Sequence, residues 1–391
     1  MKQRFITEAL CGLLFVSMLS PGFARQKAIV RSVGLTTSTG AAEFKIIPKT
    51  SATRESTSTL NWYDAQLLTV EGIGFSDITT SFTRLPARGL DKVSSEVRTL
   101  SRDTAGICIR FATNSTTISA IWDGGEGMFH MAPTGSNGLD LYVRKPRASR
   151  VRAGETPTLP NVGVHIFEED SASAMSDWVF VGVGRPKKDR TMAQLTNSQP
   201  SNVMQEYLLY LSLYGAVKEL KIGVAPEAQI APAPKHHAGE KPIVFYGTSI
   251  TQGGCASRAG MCHTALLGRW LDREVINLGF SGSGCSEPVM AELCTEIDAC
   301  VYVLEPLPNM TLQMTKERIV PFVEILRKAH PDTPILLVEN PLLPGSAPQN
   351  VALREAIATL EREGVKKLSR LPAEPQARPG RLPAPRLSRH P

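Results

Sequence analysis

Beyond Pro242 the chain alternates short β-branched apolar runs with apolar stripes at helical spacing, and few folds satisfy that rhythm. The runs Ile243 to Tyr246, Val275 to Leu278, Cys300 to Leu304 and Ile335 to Val338 read as buried strands. Between them, Leu266, Leu267, Trp270 and Leu271 share one side of a helix, and Met290, Leu293 and Ile297 space a second. Ile319, Phe322, Val323 and Leu326 mark a third, ended by His330-Pro331. Leu353, Ala356, Ile357 and Leu360 mark a fourth, stopped by Gly364. Strands joined by helices in this way form a parallel sheet covered on both faces. The stripes are therefore core.

Upstream the rhythm is different. From Trp62 to about Val224, short apolar or alternating runs are separated by Gly, Asn, Asp and Pro, with no convincing long helix between them. Gly106 to Phe111, Thr117 to Trp122, Leu139 to Arg144, Val179 to Val183 and Leu220 to Val224 are examples. This spacing predicts a β-sandwich or jelly roll. The expected organisation is a signal peptide at 1–24, a flexible lead-in at 25–59 and a β-sandwich at 60–229. A linker follows at 230–241, then an α/β domain at 242–370 and a Pro/Arg-rich disordered tail at 371–391. His236 and His237 read as solvated linker residues. The leader carries Lys2 and Arg4, an apolar segment from Leu10 to Leu19, and small residues at Gly22 and Ala24. Such a pattern predicts cleavage after Ala24 and an exported mature protein with no membrane span.

Charge and cysteines narrow the function classes. The formal net charge of +6 is matched by the segment from Lys366 onward, which holds seven basic residues and Glu374. The basicity belongs to a tail, so a nucleic-acid partner is not expected. Export permits disulfides, and five of the seven cysteines lie between Cys255 and Cys300. No Cys/His spacing fits a zinc site, and neither a metal nor an organic cofactor is expected.

The chemistry is expected in the loops that leave the strands. Gly247-Thr-Ser249 follows the first, Gly279-Phe-Ser-Gly-Ser-Gly284 the second and Leu307-Pro-Asn309-Met310 the third. In open α/β sheets the crevice outside the strand carboxyl ends is where ligands bind. Ser249 is the candidate nucleophile, although a serine after a strand also serves as a helix N-cap. It lies in no G-x-S-x-G elbow, because residue 251 is Thr, and no P-loop spacing follows. Acyl transfer needs donors for the tetrahedral oxyanion. Backbone N–H groups of Ser249 and Gly282 and the Asn309 amide are the candidates.

Tyr246-Gly-Thr-Ser-Ile-Thr-Gln-Gly-Gly254, Asn277-Leu-Gly-Phe-Ser-Gly282 and Leu307-Pro-Asn309-Met310 resemble three blocks of the SGNH/GDSL-type hydrolases. Arg84 to Arg88, Gly138 to Tyr142 and Glu206 to Tyr210 resemble the N-terminal β-sandwich of the secreted type. Coverage runs from about Leu60 to about Leu368. The resemblance implies a flavodoxin-like α/β/α domain with Ser249 as nucleophile and Gly282 and Asn309 in the oxyanion hole. It also implies an exported esterase removing short acyl groups, acetyl for instance, from a small-molecule or carbohydrate ester. One block departs. The family's closing Asp-x-x-His has no match, because Leu387 stands three residues before His390. His390 is the candidate base and His263 a weaker substitute, while His330 reads as a helix-end residue. A truncated or frame-shifted C-terminus, leaving the α/β domain incomplete, is the expectation. The alternative function is a binding protein whose catalysis is impaired for want of the base.

Overall fold

The computed structural model describes residues 44–79, 82–125, 127–144, 177–197, 203–236 and 240–373. The expected signal peptide, His237 and His390 lie outside them. Two antiparallel sheets form the N-terminal half. One contains β1 (Asn61–Asp64), β4 (Thr117–Asp123), β7 (Arg190–Asn197) and β9 (Leu220–Val224), in the order β1-β9-β4-β7. The other runs β10-β3-β8-β5-β6, from β3 (Cys108–Thr113), β5 (Leu139–Arg144), β6 (Trp178–Gly184), β8 (Gln205–Tyr210) and β10 (Ile230–Pro232), with β2 (Thr69–Glu71) on β3. Ile118, Ala120, Trp122, Ile222 and Val224 of the first sheet pack against Ile109, Phe111, Leu139, Leu141 and Leu209 of the second. These are the inward members of alternating strands, and a sandwich is the way two such faces leave water together. Among the described residues two short α-helices interrupt it: α1 (Ser95–Leu100) and α2 (Pro133–Ser136).

The second half is a five-stranded parallel sheet. Its order is β12-β11-β13-β14-β15, from β11 (Ile243–Gly247), β12 (Val275–Gly279), β13 (Val301–Glu305), β14 (Ile335–Val338) and β15 (Leu368–Leu371). This 2-1-3-4-5 order puts the switch point at the carboxyl end of β11. Val244, Tyr246, Tyr302, Leu304 and Leu337 face α5 (Pro288–Thr295), α6 (Leu312–Ala329) and α7 (Pro348–Arg362). Ile243, Phe245, Val301 and Val303 face the other way, toward Leu267 and Trp270 of α4 (His263–Leu271).

Three expectations need correction. Part of the expected lead-in is ordered on the sandwich: Thr53 bridges Trp62, the Ile47 amide donates to the Ile230 carbonyl, and Ile47 packs on the core. The expected linker opens with strand β10, and His236 is largely buried between Glu71 and Asp272 rather than solvated. Its amide also donates to Glu71. The sequence pattern names four strands in this half, and the structure adds a fifth after Lys367: β15 pairs with β14 from Leu368 to Leu371. Leu368-Ser-Arg-Leu371 is too polar to read as a buried run. An edge strand keeps one side toward solvent and tolerates that composition.

The halves meet across the outer face of the second sandwich sheet. Tyr142, Leu208 and Tyr210 pack with Ala259, Cys262 and Ala265. The Arg269 guanidinium lies 4.0 Å from the centre of the Tyr142 ring. Asp140 is buried in this seam and accepts the Gly260 amide at 2.9 Å, with Arg258 at 3.3 Å. Burial pushes its carboxyl up despite Arg258. The six described cysteines are free thiols.

Candidate active site

The nucleophile turn begins flush with its neighbours. Gly247, the last residue of β11, pairs with Gly279 of β12 on one side and Glu305 of β13 on the other. Three loops therefore leave one edge of three adjacent strands. A Cβ at Gly247 would lie 2.2 Å from the Thr251 hydroxyl, and one at Gly284 would lie 1.9 Å from the Gly247 carbonyl. At Gly284 the obstacle is the backbone of the neighbouring loop, and at Gly247 it is the turn's own Thr251 together with the Glu305 carbonyl at 2.9 Å, so neither place has room for a side chain.

Ser249 is half-buried and opens α3 (Ser249–Gln252). Thr248 is the N-cap of that helix: its hydroxyl accepts the Ile250 amide at 3.2 Å, and its amide donates to the Thr251 hydroxyl at 3.2 Å. Thr251 donates in turn to Glu305 Oε2 at 2.7 Å, and His263 Nε2 lies 3.1 Å from the same oxygen. Gly253, at φ +108°, ends the turn, and the Gly254 amide reaches back to the Ser249 carbonyl at 2.7 Å. At the first helical position the Ser249 N–H has no intrahelical acceptor, so it is free to serve a ligand.

Gly282 is exposed in the left-handed region at φ +69°, with open space where a Cβ would sit. Asn309 ends the 3₁₀ turn Leu307–Asn309, and its Nδ2 donates to the Phe280 carbonyl at 3.3 Å. The same Nδ2 also donates to the Gly284 carbonyl at 3.5 Å, so both N–H groups of the amide are engaged within the loop and a ligand oxygen competes for one of them. Asn309 is thus tied into the loop that carries Gly282. A cavity of about 220 Å³ adjoins the turn, lined by Thr248, Ile250, Glu305, Pro308, Val338, Glu339 and Pro341. A larger cleft of about 440 Å³ contains none of these loops and is bordered by Arg273, Glu274 and Val275 at the opposite edge of the sheet.

Of the described imidazoles considered for the site, His330 stands at a helix end as expected, whereas His263 is not placed as a base. His263 is buried at the start of α4, engaged with Glu305 and edge-on to Phe245 at 5.7 Å. His330 caps α6 and holds the Thr295 carbonyl through Nε2 at 2.7 Å. Among the described residues no imidazole is hydrogen-bonded to Ser249. Sequence reasoning missed Glu305 altogether, although an acid closing the apolar run Val301 to Leu304 was visible. It also missed the reach of the sandwich into the site. Arg84 is fully buried and donates to the carbonyls of Asn277, Gly279, Leu100 and Asp103 while stacking on Phe280 at 4.7 Å. Burial pulls its guanidinium down to about 10.

The comparisons agree with this architecture. Residues 240–369 match the model of the GDSL-like Lipase/Acylhydrolase family, and residues 60–158 and 147–230 match that of the N-terminus of SGNH-hydrolase-type esterases. A Bacteroides ovatus protein described as a GDSL-like lipase is 30% identical, covering 81% of this chain and 87% of its own, with a TM-score of 0.67. A salicylyl-acyltransferase of a tetracycline biosynthetic pathway shares the fold at 15% identity, covering 81% of this chain and 85% of its own, with a TM-score of 0.58. The search of curated proteins finds no match. The chain belongs to the SGNH/GDSL-like lipase/acylhydrolase family, whose members are ester hydrolases.

Proposed function

We propose that the protein is an exported serine esterase that removes short acyl groups, acetyl foremost, with a carbohydrate as one class of alcohol. The observation that carries this reading is the grouping of Ser249, Gly282 and Asn309 at one edge of three neighbouring strands, with Asn309 hydrogen-bonded into the Gly282 loop. In the reaction Ser249 Oγ attacks the ester carbonyl carbon and gives up its proton to an imidazole. The carbonyl oxygen becomes an oxyanion held by the N–H groups of Ser249, Gly282 and Asn309 Nδ2. The alkoxide leaves with that proton, and water then hydrolyses the acyl-serine.

His390 is the proposed base, and the test is p-nitrophenyl acetate hydrolysis by the wild type, Ser249→Ala and His390→Ala. Loss in both variants supports the serine–imidazole reading. A rate in the wild type no higher than in Ser249→Ala refutes turnover at this serine. A second reading then takes over: a family member that binds esters without hydrolysing them. What favours it is the absence of Asp-x-x-His from the sequence, together with the engagement of His263 by Glu305.

A further inference from the structure

Gln252, the last residue of the nucleophile turn, is fully buried and joins three segments at once. Its Nε2 donates to Asp103 Oδ2 at 2.9 Å and to the Leu213 carbonyl at 3.1 Å. Its Oε1 accepts the Ser281 amide at 3.0 Å. Both Nε2 partners are oxygen acceptors and the Oε1 partner is an N–H donor, so a flipped amide would oppose all three. Asp103 and Leu213 belong to the sandwich half. Ser281 is the residue before Gly282.

Gly282 needs such a brace. It is exposed, and nothing stands within 4 Å of the position its Cβ would take. Its orientation comes from the backbone on either side. On the far side the Ser283 and Gly284 amides both donate to the Phe280 carbonyl, at 3.0 and 2.9 Å. On the near side the Ser281 amide is held by Gln252. The Gln252 amide is held in turn by Asp103. The same half of the molecule also touches the nucleophile, since the Tyr214 hydroxyl donates to the Ser249 carbonyl at 3.2 Å.

We propose that Asp103 is a positioning residue for the oxyanion side of the site, acting through the Gln252 amide on the Phe280–Ser281 peptide that leads into Gly282. The sandwich half is thereby part of the acyl-transfer machinery and more than a wall beside it. For its effect on turnover the inference rests on the esterase reading above; its structural content does not. What Asp103 supplies is an acceptor oxygen, so asparagine, which keeps one, should replace it and leucine should not. The charged and titratable groups facing it are Arg84, whose Nε donates to the Asp103 carbonyl, and Tyr214.

The experiment compares the full-length wild type with Asp103→Leu and Asp103→Asn. It reads p-nitrophenyl acetate kinetics, and amide hydrogen exchange of the segment 279–284 against that of 312–329. Removing an oxyanion donor outright costs about 10²–10³ in kcat, and loosening one should cost about 10-fold. Asp103→Leu is therefore expected to lower kcat about 10-fold with KM within about 2-fold, and to speed exchange in 279–284 while 312–329 stays as in the wild type. Asp103→Asn should restore both to near wild-type values. Wild-type kcat together with wild-type exchange in Asp103→Leu would overturn the proposal, as would equal losses in the Leu and Asn variants. If the wild type turns over no faster than Ser249→Ala, the esterase reading falls and the exchange data alone decide on Asp103. If Asp103→Leu does not fold, Gln252→Leu breaks the relay at its centre: selective exchange in 279–284 supports the brace, and unchanged exchange overturns it.

Discussion

Consider raising the pH on the His236 latch. The ring sits with Nδ1 2.9 Å from Glu71 Oε2 and Nε2 3.8 Å from Asp272 Oδ1, and its side chain is 15% exposed. Burial alone would pull its titration down; the carboxylates of Asp272 and Glu71 overcome that and raise it from 6.5 to about 9. A folded-state value above the unfolded one means the folded protein holds the proton more tightly. The resulting stability is fully present below pH 6.5 and is lost as pH rises through about 9. At about 1.4 kcal/mol per pH unit the interval is worth about 3 kcal/mol, and residual solvent screening brings our expectation to about 2 kcal/mol. The assay is urea unfolding of the wild type and His236→Gln at pH 6, 7.5 and 10, urea being chosen because it does not screen charge. Taking the difference between the two proteins cancels every other titrating group they share. The gap should be about 2 kcal/mol at pH 6 and close toward zero at pH 10. A gap that is constant with pH, or that widens as pH rises, refutes the ion-pair account and leaves His236 as a packing residue.

Two further outcomes follow from the candidate site. Asn309→Ala removes the amide N–H proposed for the oxyanion and should lower kcat about 10²–10³-fold with little change in KM, measured by steady-state ester hydrolysis. Glu305→Ala leaves the buried Thr251 hydroxyl and His263 ring without their shared acceptor. It should cost about 2–4 kcal/mol in urea unfolding, and a loss under about 0.5 kcal/mol would mean that the carboxylate is dispensable to the turn.

Most of the parallel sheet was legible because its strands are apolar on both faces. Ile243 to Tyr246, Val275 to Leu278 and Ile335 to Val338 have one reading only, and the helical stripes between them fit no other layer order. Strand β15 escaped because an edge strand answers to one neighbour and can carry Ser369 and Arg370. His236 was misread because its burial depends on Glu71 and Asp272, residues distant in sequence that the sheets bring together. The lead-in around Ile47 was misread for the same reason, since its partner is Ile230.

The candidate site divides along the same line. The roles proposed for Ser249, Gly282 and Asn309 rest on what is readable locally, since each is a residue of distinctive type just after a strand. What supports them was not. Asp103 and Tyr214 stand in no motif of the sequence, and Arg84 only in a segment that resembles the N-terminal domain, yet they grip the carbonyls of Asn277 and Gly279, the Gln252 amide and the Ser249 carbonyl. The sequence by itself determined the strands, the helices and the residues at the strand ends, because periodicity and turn chemistry act over a few neighbouring residues. Only the tertiary structure decided which half of the molecule braces the site, because a hydrogen bond between residues 103 and 252 exists only once two separately patterned sheets have packed.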